Sequence, residues 1–162
     1  MLKRLTVGAL ALALTATGCG GLTDSPAPGA SMEKMCEAAQ ALASAVILAR
    51  GSAAASEGGD GAAAANLAEH ANTRRQDGMA LAGWAGALEG SQDPPTPGFA
   101  ERMAEVRAAQ QAVDLVIGVL GSAAAPVSVE ARPRLLDAAE TSVRAISLPE
   151  RCTVAETPPP SS

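Results

Sequence analysis

The chain has 162 residues, 12 basic and 17 acidic, with a net charge of −5 at pH 7. Its 48% hydrophobic content holds 38 alanines, one Phe, one Trp and no Tyr, which is too little bulk to fill a wide sandwich or barrel but suits narrow, closely packed helices. An acidic chain without a basic stripe also argues against a nucleic-acid partner, because phosphate neutralisation needs clustered Lys and Arg.

The first segment, MLKRLTVGALALALTATGCGG, has the three parts of an export signal. Lys3 and Arg4 supply the charged start and Leu5 to Leu14 the apolar middle, and small residues lead to Cys19. Ten apolar-rich residues rise only ~15 Å as a helix, about half a bilayer core, so a permanent span is not expected. Ala16-Thr17-Gly18-Cys19 resembles the lipobox of bacterial lipoproteins, although that family prefers Leu where this chain has Ala16. The resemblance implies cleavage before Cys19, a diacylated (palmitate-type) Cys19 thiol and a cell-membrane anchor on the extracytoplasmic side. Ala16-x-Gly18 also fits ordinary signal-peptidase cleavage, which would leave a secreted protein. With the signal at 1–18 removed, 10 basic residues remain against 17 acidic ones, a net −7. Residues 19–32, rich in Gly, Pro, Ser and Ala, read as a flexible lipid-anchored tether.

Four helical segments follow. Helix one is expected from Glu33 to Arg50, with Met35, Ala39, Leu42, Val46 and Ala49 as its apolar stripe and Ser31 as N-cap. The stretch from Gly51 to Gly61 reads as a loop. Helix two is expected from Ala62 to Leu88, with Leu81, Trp84 and Leu88 facing the core and Gly78 as a weak point. Pro94 and Pro95 then interrupt the chain. Helix three, Phe99 to Leu120, has the clearest stripe: Phe99, Met103, Val106, Gln110, Val113, Ile117 and Leu120. Helix four, Pro133 to Ser147, places Leu136, Ala139, Val143 and Ile146 on one face. Glu130–Arg134 and Glu140–Arg144 are favourable i, i+4 pairs. No other segment is apolar enough for a membrane span, and residues 153–162 read as a disordered, Pro-rich tail.

The expected fold is therefore all-α: a four-helix up-down-up-down bundle over 33–152. Two hairpins that pack only in an oligomer are the other arrangement. In a bundle with an even number of helices, Cys36 and Cys152 fall at the same end. Export favours their oxidation, and Cys19 is used by the lipid, so a Cys36–Cys152 disulfide is expected.

Candidate chemistry is sparse. Met32, Met35 and Cys36 are soft ligand types, but the disulfide gives Cys36 another use. His70 is the only His, so His-based metal spacing, haem attachment and paired Glu-x-x-His motifs are ruled out, and no nucleophile–base pair stands out. His70, Arg74 and Asp77 share one face of helix two, where they form either a small polar ligand site or a solvated helix face. Trp84-Ala85-Gly86 matches a Trp-x-Gly turn of small exported helical hairpins over three residues only, and Trp84 reads better as a core filler. The expected function is non-enzymatic and without cofactor or metal: a membrane-tethered helical interaction or accessory module acting on another envelope protein. The alternative is an extracytoplasmic carrier of a small ligand or metal, using the polar face of helix two.

Overall fold

The computed structural model describes residues 29–121, residues 131–147 and Cys152. The expected signal, Cys19, most of the tether, the Glu130 member of its charge pair and the Pro-rich tail lie outside the described residues. The fold is all-helical, with α1 (Ala30–Glu57), α2 (Gly61–Glu89), α3 (Phe99–Gly121) and α4 (Ala131–Arg144) and no strand among the described residues.

Helix α1 is longer than its apolar pattern announces. It begins three residues before Glu33, with Gly29 at the N-cap, and runs through the Ala- and Ser-rich stretch expected to be a loop. Alanine's helix propensity carries it across that stretch to Gly58. Gly59, at φ +80°, then makes a turn that L side chains resist. Asp60 starts α2 by accepting the Ala63 N–H at 3.0 Å, an N-cap bond. Ser31 does not cap α1. It is fully buried inside the helix and ties α1 to the far end of α2.

The five expected stripe residues of α1 are all buried, together with Ala38, Ala41, Ala45 and Ala53. By length and composition α1 could cross a membrane, contrary to expectation, yet half of its apolar window is covered by the other helices. Helix α2 packs antiparallel to it. Ser52 donates to the Ala64 carbonyl at 2.8 Å near the turn, Gly78 abuts Leu42 midway, and Ser31 donates to Glu89 at 2.7 Å at the open end.

The buried face of α2 is Ala71, Gly78, Ala82 and Ala85. Leu81 and Leu88 are only half-buried, and Trp84 is 54% exposed, so the expectation of Trp84 as a core filler is overturned. The reason is spacing. A Cβ on Gly78 would lie 3.0 Å from two Leu42 side-chain carbons and 3.3 Å from the Ala38 carbonyl. The helices are too close to admit an indole, and the bulky residues of α2 are rotated outward. Gly78 is therefore a contact residue as well as a cost in helix propensity.

Helix α3 matches its expected stripe and widens it. Phe99, Met103, Val106 and Val113 are buried, along with Ala109 and Val116, while Gln110, Ile117 and Leu120 sit at the margin. Gln110 donates to the Gly78 carbonyl at 3.5 Å, a long contact that spans α3 and α2. Helix α4 buries Leu136 and Ala139, and Ile146 just beyond its end is buried too. Pro133 lies in its first turn, where a missing N–H costs no intrahelical bond. The chain after α4 is tied to α3: Arg102 donates to the Ser147 carbonyl at 2.9 Å, and Ser147 N–H donates to Glu105 at 2.7 Å. Helices α2 and α4 do not touch each other among the described residues, whereas α1 and α3 each pack against all the others.

Cys36 and Cys152 are joined in a disulfide, with Cα atoms 5.5 Å apart. On the opposite half of α1, Arg50 donates to Asp137 at 2.9 Å and also bonds Glu140, which in turn pairs with Arg144 as the i, i+4 spacing suggests. These groups are largely exposed, so they set the placement of α4 more than they stabilise it.

Candidate functional site

The antiparallel α1–α2 hairpin leaves a shallow groove of about 540 Å³ on its outer side. From α1 come Glu37, Gln40, Ala41 and Ser44, one turn apart along the helix; from α2 come Arg74, Asp77, Ala80, Leu81 and Trp84. Its floor is low because the seam beneath is made of Ala and Gly. Its walls are tall because the longer side chains of both helices have been turned away from that seam.

Trp84 stands at one end of the groove. The Lys34 ammonium lies 4.8 Å from the centre of its ring and contacts both Glu37 carboxylate oxygens, at 2.7 and 2.8 Å. A cation over an exposed indole contributes ~0.5–1 kcal/mol, enough to bias the position of the ring and leave much of its face open. Further along, Arg74 donates to Asp77 at 3.3 Å, and both remain exposed to solvent to about half their area. The charged walls are thus paired within the chain, so the groove has little net charge. Ser44 donates to its own helix at the Gln40 carbonyl, 2.9 Å.

The expected polar trio is divided. Arg74 and Asp77 line the groove beside Trp84, whereas His70 is exposed, one turn beyond its end, and does not line it. Arg75, flanking the trio, braces the fold instead. It donates to Asp114 of α3 at 2.8 Å and to the Asn72 side chain at 3.0 Å. This explains the polar interruption in α2, because Arg75 sits on the α3-facing side between buried Ala71 and Gly78. A second groove of about 550 Å³ between α2 and α3 surrounds this link.

No protein-family model, curated protein or solved structure matches this chain. Among the described residues no group of three or more His, Cys, Asp or Glu is placed to hold a metal ion. Met35 is fully buried and the Cys36 sulfur is bonded to Cys152, so the soft-ligand candidates do not converge on an open site.

At the end of the hairpin near the chain's entry, Glu89 makes a clamp. It accepts the Ser31 hydroxyl at 2.7 Å and the Thr96 N–H at 2.6 Å. Desolvation pushes the Glu89 pKa up, but the hydrogen bonds from Thr96 and Ser31 outweigh it and hold the carboxylate below its ordinary value. The clamp joins the start of α1, the end of α2 and the α2–α3 loop, and so fixes the end of the groove where Trp84 lies. Sequence reasoning misses both the clamp and the groove. The available signals are a Ser inside the first turn of an apolar helix, and an aromatic out of phase with the Ala/Gly repeat.

Proposed function

We propose that this chain is a lipid-anchored, non-enzymatic module of the cell envelope that binds an extended peptide segment of a partner in the α1–α2 groove. In this reading residues 1–18 are removed, Cys19 carries the acyl chains, residues 20–32 are the tether, and an up-down-up-down bundle is held on the extracytoplasmic side. The carrying observation is the half-exposed Trp84 at the end of a groove whose charges are already paired internally. A groove of that kind rewards apolar stacking and backbone hydrogen bonding over charge recognition, which suits an extended peptide. Its open shape gives a substrate little shelter from water, and no activated nucleophile lines it, so an accessory role fits better than catalysis.

A carrier role is the second reading, motivated by Arg74 and Asp77 in the same groove. The two readings part on substitution. Replacing Arg74 and Asp77 by Ala should leave partner capture intact for a peptide-binding module and abolish ligand binding for a carrier. The direct test places a photo-crosslinking residue at Ser44 or Ala80 in the groove, and at Ala138 on α4 as a control, in living cells. One partner captured at the first two positions only, and lost when Trp84 is replaced by Ala, supports the module. Equal capture at Ala138 would defeat it. For the anchor, Cys19→Ser should move the protein from the membrane to the soluble fraction and remove the acyl mass.

A further inference from the structure

The groove has a candidate occupant within this chain. The disulfide fixes Cys152 to Cys36, and Cys36 is four residues before Gln40, a groove-lining residue. Residues four apart stack on one side of a helix, ~6 Å apart along its axis. Cys152, from which residues 153–162 continue, is therefore anchored about one helical turn from Gln40. Those residues carry three consecutive prolines, Pro158, Pro159 and Pro160. A Pro run favours the polyproline II form, which loses little entropy on docking and stacks on exposed indoles in aromatic-lined grooves. From Cys152 to Pro158 the chain can span up to ~20 Å. Crossing from α1 to its neighbour takes only ~8–10 Å between axes.

We infer that residues 153–162 fold back into the α1–α2 groove and set Pro158–Pro160 against Trp84, so that the chain occupies its own peptide seat until a partner displaces it. The paired charges of the groove suit this occupant, whose one charged side chain is Glu156. Six residues of tether from Cys152 to Pro158 give an effective concentration near millimolar, so a seat of weak intrinsic affinity would be about half filled and readily surrendered. The inference rests on the groove being a peptide seat.

Trp84 reports on this directly, because it is the only Trp and the chain has no Tyr. The experiment measures acrylamide quenching of Trp84 fluorescence in the full chain, in a chain ended after Thr153, and in a full-length chain with Pro158, Pro159 and Pro160 all replaced by Gly. Both altered chains should show a quenching constant about 1.5-fold higher, as expected when a half-filled seat is emptied. Adding the detached peptide of residues 153–162 to the shortened chain at millimolar concentration should reverse the rise. Identical quenching in all three chains overturns the inference. If the peptide nevertheless protects Trp84 of the shortened chain, the groove is a peptide seat and only the self-docking fails. If it does not, both readings fail. A change on replacing Pro26 and Pro28, with none on replacing the tail prolines, would also overturn the inference.

Discussion

Helices α2 and α3, of 29 and 23 residues, both pack into the bundle, yet they meet the core in opposite ways. Helix α3 buries its large residues, Phe99, Met103, Val106, Val113 and Val116. Helix α2 buries Ala71, Gly78, Ala82 and Ala85 and leaves Met79 and Trp84 about half exposed. The contrast follows from the partner each helix faces. Helix α1 sets the Leu42 side chain and the Ala38 carbonyl directly against Gly78, so α2 can offer only small residues along that seam. Large side chains then have nowhere to go but the rims, where they become the walls of a groove. Close packing in one place thus leaves a groove beside it, whereas the α3 mode fills its interface with its own bulk.

The largest expected effect tests whether these two modes support each other. The Cys36–Cys152 disulfide ties the α1–α2 hairpin to the chain that follows α4. It closes a loop of more than a hundred residues, for which loop-closure entropy gives about 5 kcal/mol. Replacing both cysteines by Ala should lower the urea midpoint correspondingly. If the double variant unfolds in two transitions, the hairpin and the remaining helices are separate cooperative units; a single transition means that they unfold together.

Glycine substitutions probe the hairpin more finely. Gly78→Ala places a Cβ 3.0 Å from Leu42, so either the side chain or the helix must shift. Overpacking costs about 1–3 kcal/mol and exceeds the gain in helix propensity. Gly83, five residues on, has open space where a Cβ would stand, so Gly83→Ala should stabilise by about 1 kcal/mol. The two substitutions are chemically identical and should differ in sign. Measured denaturation curves that move the same way would mean that the α1–α2 contact is looser than these distances imply.

This contrast also marks what a sequence can show. The faces of α1, α3 and α4 are legible because large apolar residues recur there at helical spacing, with Leu42, Val106 and Leu136 each buried at the predicted place. The pairing of Cys36 with Cys152 is legible because these two cysteines flank the helical region and Cys19 has another expected use. The face of α2 is misread when hydrophobic weight is placed on Leu81, Trp84 and Leu88, because close approach selects for absence of bulk. Ser31 is misplaced for a related reason. A Ser before an apolar run suggests an N-cap, and only the folded chain shows Glu89 arriving from 58 residues away. The groove cannot be read at all, since it exists only once two helices are set side by side in one register.

Acid should loosen the clamp at the open end of the hairpin. The folded chain holds the Glu89 carboxylate below its ordinary pKa, through hydrogen bonds that overcome desolvation. A carboxylate whose pKa falls on folding contributes fully above the unfolded value and loses that contribution as pH drops through the folded value. Stability should therefore decline on acidification below the ordinary pKa of 4.5, and less steeply in Glu89→Gln. Denaturant titrations from roughly pH 3 to 7 would show it, and parallel pH profiles for the two proteins would remove Glu89 from the account.

The smallest expected effect is the most discriminating for the α2 comparison. Truncating a buried Trp costs about 3–5 kcal/mol, because its volume leaves a cavity. At 54% exposure, Trp84 covers little of the core, and its ring is contacted by the Lys34 ammonium at the surface. Trp84→Ala should then cost about 0.5 kcal/mol, the range of a surface substitution. Val106, fully buried on α3, serves as the reference, and Val106→Ala should cost more despite removing far fewer atoms. If the order were reversed, Trp84 would belong to the core, and the groove would lose its distinctive wall. If it holds, the largest side chain in the molecule contributes almost nothing to folding and keeps about half of its surface open to solvent.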